Sequence, residues 1–329
     1  MTKVDSMTRM IADDVAVAAP VAAAAVDQPP RPPRNRRSWR RSAAPWLLLS
    51  PVILLSAAFI AAPVLSVFWN AMFERKLTEP WNDAFIGLEH FRFMLFEDPK
   101  FWPSLGFTAQ WVLVEVVLQL IFGLIIALVV NEAFRGRGFW RALVFSPWAI
   151  SGVLTTAIWI LVYNPGTGIF RLLAEWGIGD GTQAVLVDPD SVFWAVVVAE
   201  LWRGVPFFAI MLLAELQSAP KELYEAAAVD GAGRIKRFLH VTLPHLKTAI
   251  ILTTLLRGVW EFNNVDLLLT MTNGGPAGMT TTLPLYVAQL ATQAHDFGYG
   301  SALTVFAFLI LLIVSIVYLK LTAFSREED

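Results

Sequence analysis

The sequence predicts an all-α, polytopic membrane protein with six transmembrane helices and a cytoplasmic helical loop between the fourth and the fifth. Three observations predict it. Of the 329 residues, 56% are hydrophobic and only 16% charged, with a positive mean hydropathy, well outside the composition of a soluble domain. The apolar residues gather in windows that approach or exceed the ~20 residues needed to cross a ~30 Å hydrocarbon core as helix. They do not alternate with polar residues, which excludes a transmembrane barrel. Lysine and arginine, finally, are unequally shared among the segments between these windows, and in a membrane protein their placement says more than the formal net charge of −2. The chain has no cysteine, so disulfides, thiolate metal sites and cysteine catalysis are excluded, which fits a bacterial inner membrane.

Residues 1–42 are rich in Ala, Pro and Arg, with Pro29-Pro30-Arg31-Pro32-Pro33 followed by Arg34, Arg36, Arg37, Arg40 and Arg41. Such a segment buries too little apolar surface to fold and is expected to be a disordered basic cytoplasmic tail. It is too long for a signal peptide, and the apolar run after Pro45 is long enough to span the membrane. The arginines read as a topology anchor beside anionic lipid, in preference to a nucleic-acid contact. The transmembrane domain is expected over 43–325, with spans near 46–69, 107–131, 142–163, 191–214, 249–270 and 301–320. With the tail inside, the cytoplasmic segments carry eighteen Lys and Arg and the outer loops five, namely Arg75, Lys76, Arg92, Lys100 and Arg171. Arg203 and Arg257 fall within spans. The asymmetry places both termini in the cytoplasm. The first outer loop carries Trp81, Phe85, Phe91, Phe93, Phe96, Phe101 and Trp102, suited to an interfacial belt or a packed cap. The outer loops end in turn signals at Asn164-Pro165-Gly166 and at Asn273-Gly274-Gly275-Pro276.

Catalytic chemistry has little to stand on. His240 and His245 are five apart with Pro244 between them, and with His90 and His295 they complete the histidines. No i, i+4 pair for a helical metal site results, so neither a metal site nor catalytic residues are expected. No Gly-x-x-x-x-Gly-Lys-Ser/Thr phosphate loop is present, so ATP-driven work would need a separate nucleotide-binding subunit.

Polar residues inside the spans come in pairs at helical spacing: Glu115 with Gln119, Glu200 with Arg203, and Arg257 with Glu261. A charge at mid-bilayer costs ~3 kcal/mol or more, so these groups must face protein or water. Asn263, Asn264 and Asp266 continue the polar face toward the outer end of span five. Two readings stand: a translocation path formed by Arg257, Glu261, Asn263, Asn264, Asp266, Glu115 and Gln119, or polar fastening between helices. A proton relay lacks a chain of carboxylates across several helices.

The polar insertion over 215–247 reads as a helix after Pro220 from Lys221 to Val229, a turn at Asp230-Gly231 with Gly231 in the left-handed conformation, and a second helix over 234–241. Pro244 is then expected to bend the chain into span five. Here the sequence resembles a known family. Glu225-Ala226-Ala227-Ala228-Val229-Asp230-Gly231-Ala232, with Phe238 and Leu243-Pro244, is similar to the EAA loop of permease subunits of bacterial ABC importers that use a binding protein. Phe85-Ile86-Gly87-Leu88, Pro206-Phe207-Phe208, Leu216-Gln217-Ser218-Ala219-Pro220 and Thr272-Asn273-Gly274-Gly275-Pro276 look like the carbohydrate-uptake branch, similar to the maltose and glycerol-phosphate permeases. The resemblance covers roughly 45–322. Two departures are mild: Val241 stands where Ile is frequent, and Thr248 where Pro is frequent.

The resemblance implies the type I ABC importer permease fold and a non-enzymatic role in carbohydrate import by alternating access. It implies that Glu225, Ala226, Ala227, Asp230, Gly231 and Pro244 serve coupling to an ATPase, with Glu225 fixing the loop and Gly231 allowing its turn. The implied partners are a second permease, two ATPases carrying ATP and Mg, and an extracytoplasmic sugar-binding protein. The alternative is a standalone secondary transporter or channel, which would need coupling-ion groups that the sparse intramembrane carboxylates do not supply.

Overall fold

A computed structural model describes residues 39–178 and 184–322. Most of the expected tail therefore lies outside the described residues, and its last part, from Trp39, already belongs to a helix. The chain divides at Ala61 into two units. The first contains α1 (Trp39–Ser56) and a π-helical turn, Ala57–Ala61. The second begins with α2 (Ala62–Asn70) and holds the remaining elements.

Five helical stretches among the described residues are long and apolar enough to cross a membrane: Leu48–Asn70, Phe101–Asn131, Val192–Ser218, Arg234–Met271 and Phe297–Leu321. A sixth crossing results if the helices over Arg137–Ala149 and Gly152–Val162, bent by 100°, count as one span. Between α2 and the next span, a two-stranded ribbon pairs β1 (Phe73–Glu74) with β2 (Ala84–Phe85), and α3 (Glu89–Phe96) follows.

The second unit is built around α4 (Phe101–Asn131) and α8 (Val192–Ser218), its most extensive helix pair. Two glycines allow the approach. A Cβ on Gly123 would fall 2.4 Å from Phe208 Cβ, and one on Gly204 2.4 Å from Gln119 Cδ, both too short for atoms to coexist. Against this pair packs α11 (Leu243–Phe262). Trp111, Val196, Leu267 and Leu268 fill the core at one end, and Ala127, Leu212 and Leu246 at the other. The last helix, α14 (Phe297–Leu321), closes on α2 through Ala302 and Val305 against Val67 and Phe68, and on α3 and α13 (Leu283–Gln289) through Tyr299 and Leu303 against Met94 and Leu283.

One sequence expectation needs correction. The third span, expected over 142–163, is split into α5 (Arg137–Phe145), a 3₁₀ turn (Ser146–Ala149) and α6 (Gly152–Val162), with a short α7 (Ile169–Glu175) after it. Pro147 cannot donate to the helix behind it, Ile150 is extended, and Ser151 starts α6 as an N-cap accepting from the Leu154 N–H at 3.4 Å. At Pro244, where a bend is expected, the helix is not broken. Helix runs on from α10 (Arg234–Arg237) through a π turn (Phe238–Thr242) into α11. In the π turn the Leu243 N–H reaches back five residues to the Phe238 carbonyl. That wider turn makes room for the proline ring, which in a regular α-helix would strike the carbonyl four residues earlier.

Candidate functional site: a buried polar hub, an outward cavity and a projecting hairpin

The three polar pairs seen in the sequence meet in one cluster. Helix α4 supplies Glu115 and Gln119, α8 supplies Glu200, and α11 supplies Arg257 and Glu261; all five are buried. Arg257 is the centre. Its Nε donates to Gln119 Oε1 at 2.6 Å, and its Nη2 lies 2.7 Å from Glu200 Oε1 and 2.6 Å from Glu261 Oε1. The Gln119 amide completes the circuit by donating through Nε2 to Glu115 Oε2 at 2.8 Å and to Glu261 Oε1 at 2.9 Å. Only this amide orientation satisfies the cluster, because arginine can donate but not accept, while the carboxylates accept. Gly204 supplies the space, since a Cβ there would also meet Arg257 Nη2 at 2.5 Å.

The hub has two outward arms. The second Glu200 oxygen receives Arg203 Nη1 at 3.5 Å, and the second Glu261 oxygen receives Asn264 Nδ2 at 3.3 Å. Both arms end at a cavity of about 320 Å³ lined by Glu200, Arg203, Arg257, Trp260, Glu261, Asn263, Asn264 and Asp266. The cavity exists because helix is interrupted between α11 and α12 (Asp266–Met271). Asn263 caps α11 and returns its side-chain amide to the Val259 carbonyl at 2.8 Å.

Of the path residues expected from sequence, Arg257, Glu261, Asn263, Asn264 and Asp266 thus share the cavity wall. Glu115 and Gln119 do not line it; they are enclosed behind the hub. Glu200, Arg203 and Trp260, with Val259 and Val265, complete the wall. The Glu200–Arg203 spacing was a usable signal for two of them, whereas Trp260 looked like any apolar-face aromatic.

Beyond the cavity, the turn Asn273-Gly274-Gly275-Pro276 is held by side chains from the following residues. Asn273 and Gly274 have φ of 48° and 81°, and the Gly275–Pro276 bond is cis. Thr272 and Thr280 hydroxyls share a bond of 2.7 Å, and Gln289 Nε2 donates to the Asn273 carbonyl at 3.0 Å. A neighbouring buried carboxylate, Asp98, accepts from the hydroxyls of Tyr286 and Tyr299. Burial, and then the Asp98 charge, push the Tyr286 phenol above its ordinary range, so it remains a donor.

At the other end, α9 (Lys221–Val229) and α10 form a hairpin. Gly231 sits at φ +74°. The Ala232 N–H bonds to the Ala227 carbonyl at 2.9 Å and the Gly231 N–H to the Ala228 carbonyl at 3.1 Å, the paired bonds of a Schellman stop. Tyr224 Oη lies 3.2 Å from Thr242 Oγ1 and ties α9 to the π turn. Glu225, Ala226, Asp230 and Gly231 are exposed, Ala227 is half-buried, and Leu223, Val229 and Ile235 present apolar surface. No side-chain hydrogen bond to Glu225 is found among the described residues. The implied fixing role is therefore not visible within this chain.

Residues 119–326 match the family model of the binding-protein-dependent transport system inner membrane component. The chain belongs to this family. The match takes in Gln119, Glu200, Arg257 and Glu261 of the hub, the hairpin and the Asn273 to Pro276 turn, and leaves Glu115 outside. The permease is 35% identical over 293 residues to the trehalose/maltose transport system permease protein MalF of Thermococcus litoralis, covering 89% of this chain and 98% of that relative. It is also 35% identical over 279 residues to the sulfoquinovosyl glycerol transport system permease protein SmoG of Agrobacterium fabrum, covering 84% and 89%. Among solved structures, a bacterial ABC transporter involved in the import of the acidic polysaccharide alginate contains a chain that superposes with a TM-score of 0.77 at 21% identity, over 89% of this chain and all of that one. At that identity the likeness establishes the ABC importer permease fold. The family is one of transport permeases and not of enzymes, and no group of three or more metal-ligating side chains occurs among the described residues.

Proposed function

We propose that this permease is one membrane subunit of an ATP-driven importer that moves a sugar or sugar derivative across the bacterial cytoplasmic membrane by alternating access. Its partners in this reading are a second, similar permease, two ATPase subunits that bind ATP and Mg, and an extracytoplasmic sugar-binding protein. Both termini lie in the cytoplasm. The observation that carries the reading is the projecting hairpin: α9, Schellman-stopped and with Leu223 and Val229 exposed, turns at Gly231 into α10, which is continuous through the π turn with the helix that bears Arg257 and Glu261. A push on α9 can reach the π turn through the Tyr224–Thr242 contact at 3.2 Å, and the hub from there along α11. Carbohydrate as the cargo is supported by the names of the relatives and by the cavity chemistry, an aromatic ring beside amides and carboxylates. The translocation path runs along Arg257, Glu261, Asn263, Asn264 and Asp266, with Glu115 and Gln119 supporting it from behind.

Replacing Gly231 by valine puts a β-branched residue at positive φ, a local strain of about 1–3 kcal/mol. The variant is expected to insert and assemble normally, while uptake of trehalose or maltose by vesicles carrying the complete transporter falls at least tenfold. Uptake at the unaltered rate would sink the coupling role of the hairpin.

A further inference from the structure

Between the end of α4 and the start of α5 lies a groove of about 300 Å³ whose lining is apolar throughout, including Ile126, Val129, Phe134, Trp140 and Val144. The turn that joins its two walls is cationic. The chain leaves α4 at Asn131, turns through Gly136 at φ +84° and re-enters helix at Arg137, so that Arg135 and Arg137 flank the turn between two groove residues, Phe134 and Trp140. Both arginines are exposed, and neither has an ion pair or a side-chain hydrogen bond among the described residues. A third, Arg141, donates from Nε and Nη2 to the Val130 carbonyl at 3.2 and 2.8 Å, covering the open carbonyl end of α4 with positive charge. Glu132, also exposed, is the one acidic side chain in this turn. Phe139 and Trp140 pack edge to face at 5.8 Å and are exposed, as aromatic side chains at headgroup depth commonly are.

Three guanidinium groups against one carboxylate, carried by the turn and first helical residues that join the walls of a slot without polar lining, put the two chemistries of a lipid side by side along the chain. We infer that this groove binds one anionic phospholipid, with an acyl chain along Val129 and Val144 and the phosphate headgroup on Arg135 and Arg137. A zwitterionic lipid fits the slot equally well but leaves the net positive charge unmatched. The selectivity therefore resides in the arginines and the insertion in the groove. Nothing in this assignment depends on which cargo the permease carries.

Native mass spectrometry of the purified full chain, titrated with phosphatidylglycerol and with phosphatidylcholine of identical acyl chains, separates the two contributions. Phosphatidylglycerol is expected to bind at least tenfold more tightly. The Arg135→Gln/Arg137→Gln variant is expected to lose that preference, by roughly fivefold per charge, while phosphatidylcholine binding is unchanged, which also reports that the groove has stayed intact. Val129→Trp, which fills the slot, is expected to weaken both lipids. Equal affinity for the two lipids, or a preference that survives removal of both arginines, would overturn the assignment. In the assembled transporter, a cysteine at Val129 should capture a thiol-reactive acyl chain; capture of the second permease in its place would likewise overturn it.

Discussion

Arg257 is the residue on which the membrane interior depends. It satisfies Glu200 and Glu261 and fixes Gln119, all of them buried at the back of the cavity, and at such depth the energy lies less in the pairing than in the penalty for undoing it. Arg257→Met should leave Glu261 buried without a cation and Glu200 with only the Arg203 contact at 3.5 Å, at a cost of about 3–5 kcal/mol. Replacing Glu200 and Glu261 by methionine as well should restore part of the loss. Thermal denaturation of the purified permease in detergent measures both, and an Arg257→Met variant as stable as the parent would remove the hub from its structural role. The members of this cluster were legible in the sequence as pairs three or four apart, because helical spacing says which residues share a face. Their union was not, since spacing within one helix says nothing about which other helix that face meets. The missing information lay in Gly123 and Gly204, which look like tolerated interruptions in a sequence and prove to be the places where α4, α8 and the Arg257 side chain come together.

At the scale of elements, the interruption between α11 and α12 opens a cavity onto one side of the buried hub. Asn263 and Asp266 are exposed on one side of it, while Leu267 and Leu268 just beyond are fully buried. Because the natural chain has no cysteine, each position can be replaced singly. Cysteines at Asn263 and Asp266 are expected to react with a charged, water-soluble thiol reagent at least tenfold faster than cysteines at Leu267 or Leu269, the latter exposed but apolar. Uniform inertness at Asn263 and Asp266 would mean that no aqueous path reaches them. The short helix over Lys221–Val229 and the left-handed Gly231 could be read from residues alone, since Pro220 before the helix and Asp-Gly after it are local signals. The π turn before Pro244 could not. It is a one-residue accommodation between a proline and a helix that tertiary packing keeps intact, and the proline by itself argues for a break. Pro147 worked the other way: its apolar neighbours made a continuous span over 142–163 the simpler pattern, although Ser146-Pro147 and the Ser151 cap carry the signals of a helix end and a new start.

For the whole molecule, everything turns on whether α5 and α6, bent by 100°, cross the membrane together or return to the side they came from. A crossing gives six spans, keeps the hairpin on the same side as the N-terminal arginines, and divides the lysines and arginines outside the spans eighteen to five. A re-entrant pair gives five spans and sends the hairpin and the C-terminus to the opposite face, where the same residues divide twelve to eleven. The near-even split abolishes the bias that orients short-looped membrane proteins, whereas the first arrangement carries it strongly. It would also strand the hairpin on the side without ATP. A green fluorescent protein fused after Asp329 should therefore fluoresce, and alkaline phosphatase fused at the same point should be inactive. An active phosphatase there would establish five crossings, and with them a hairpin on the outer face that no ATPase could grip.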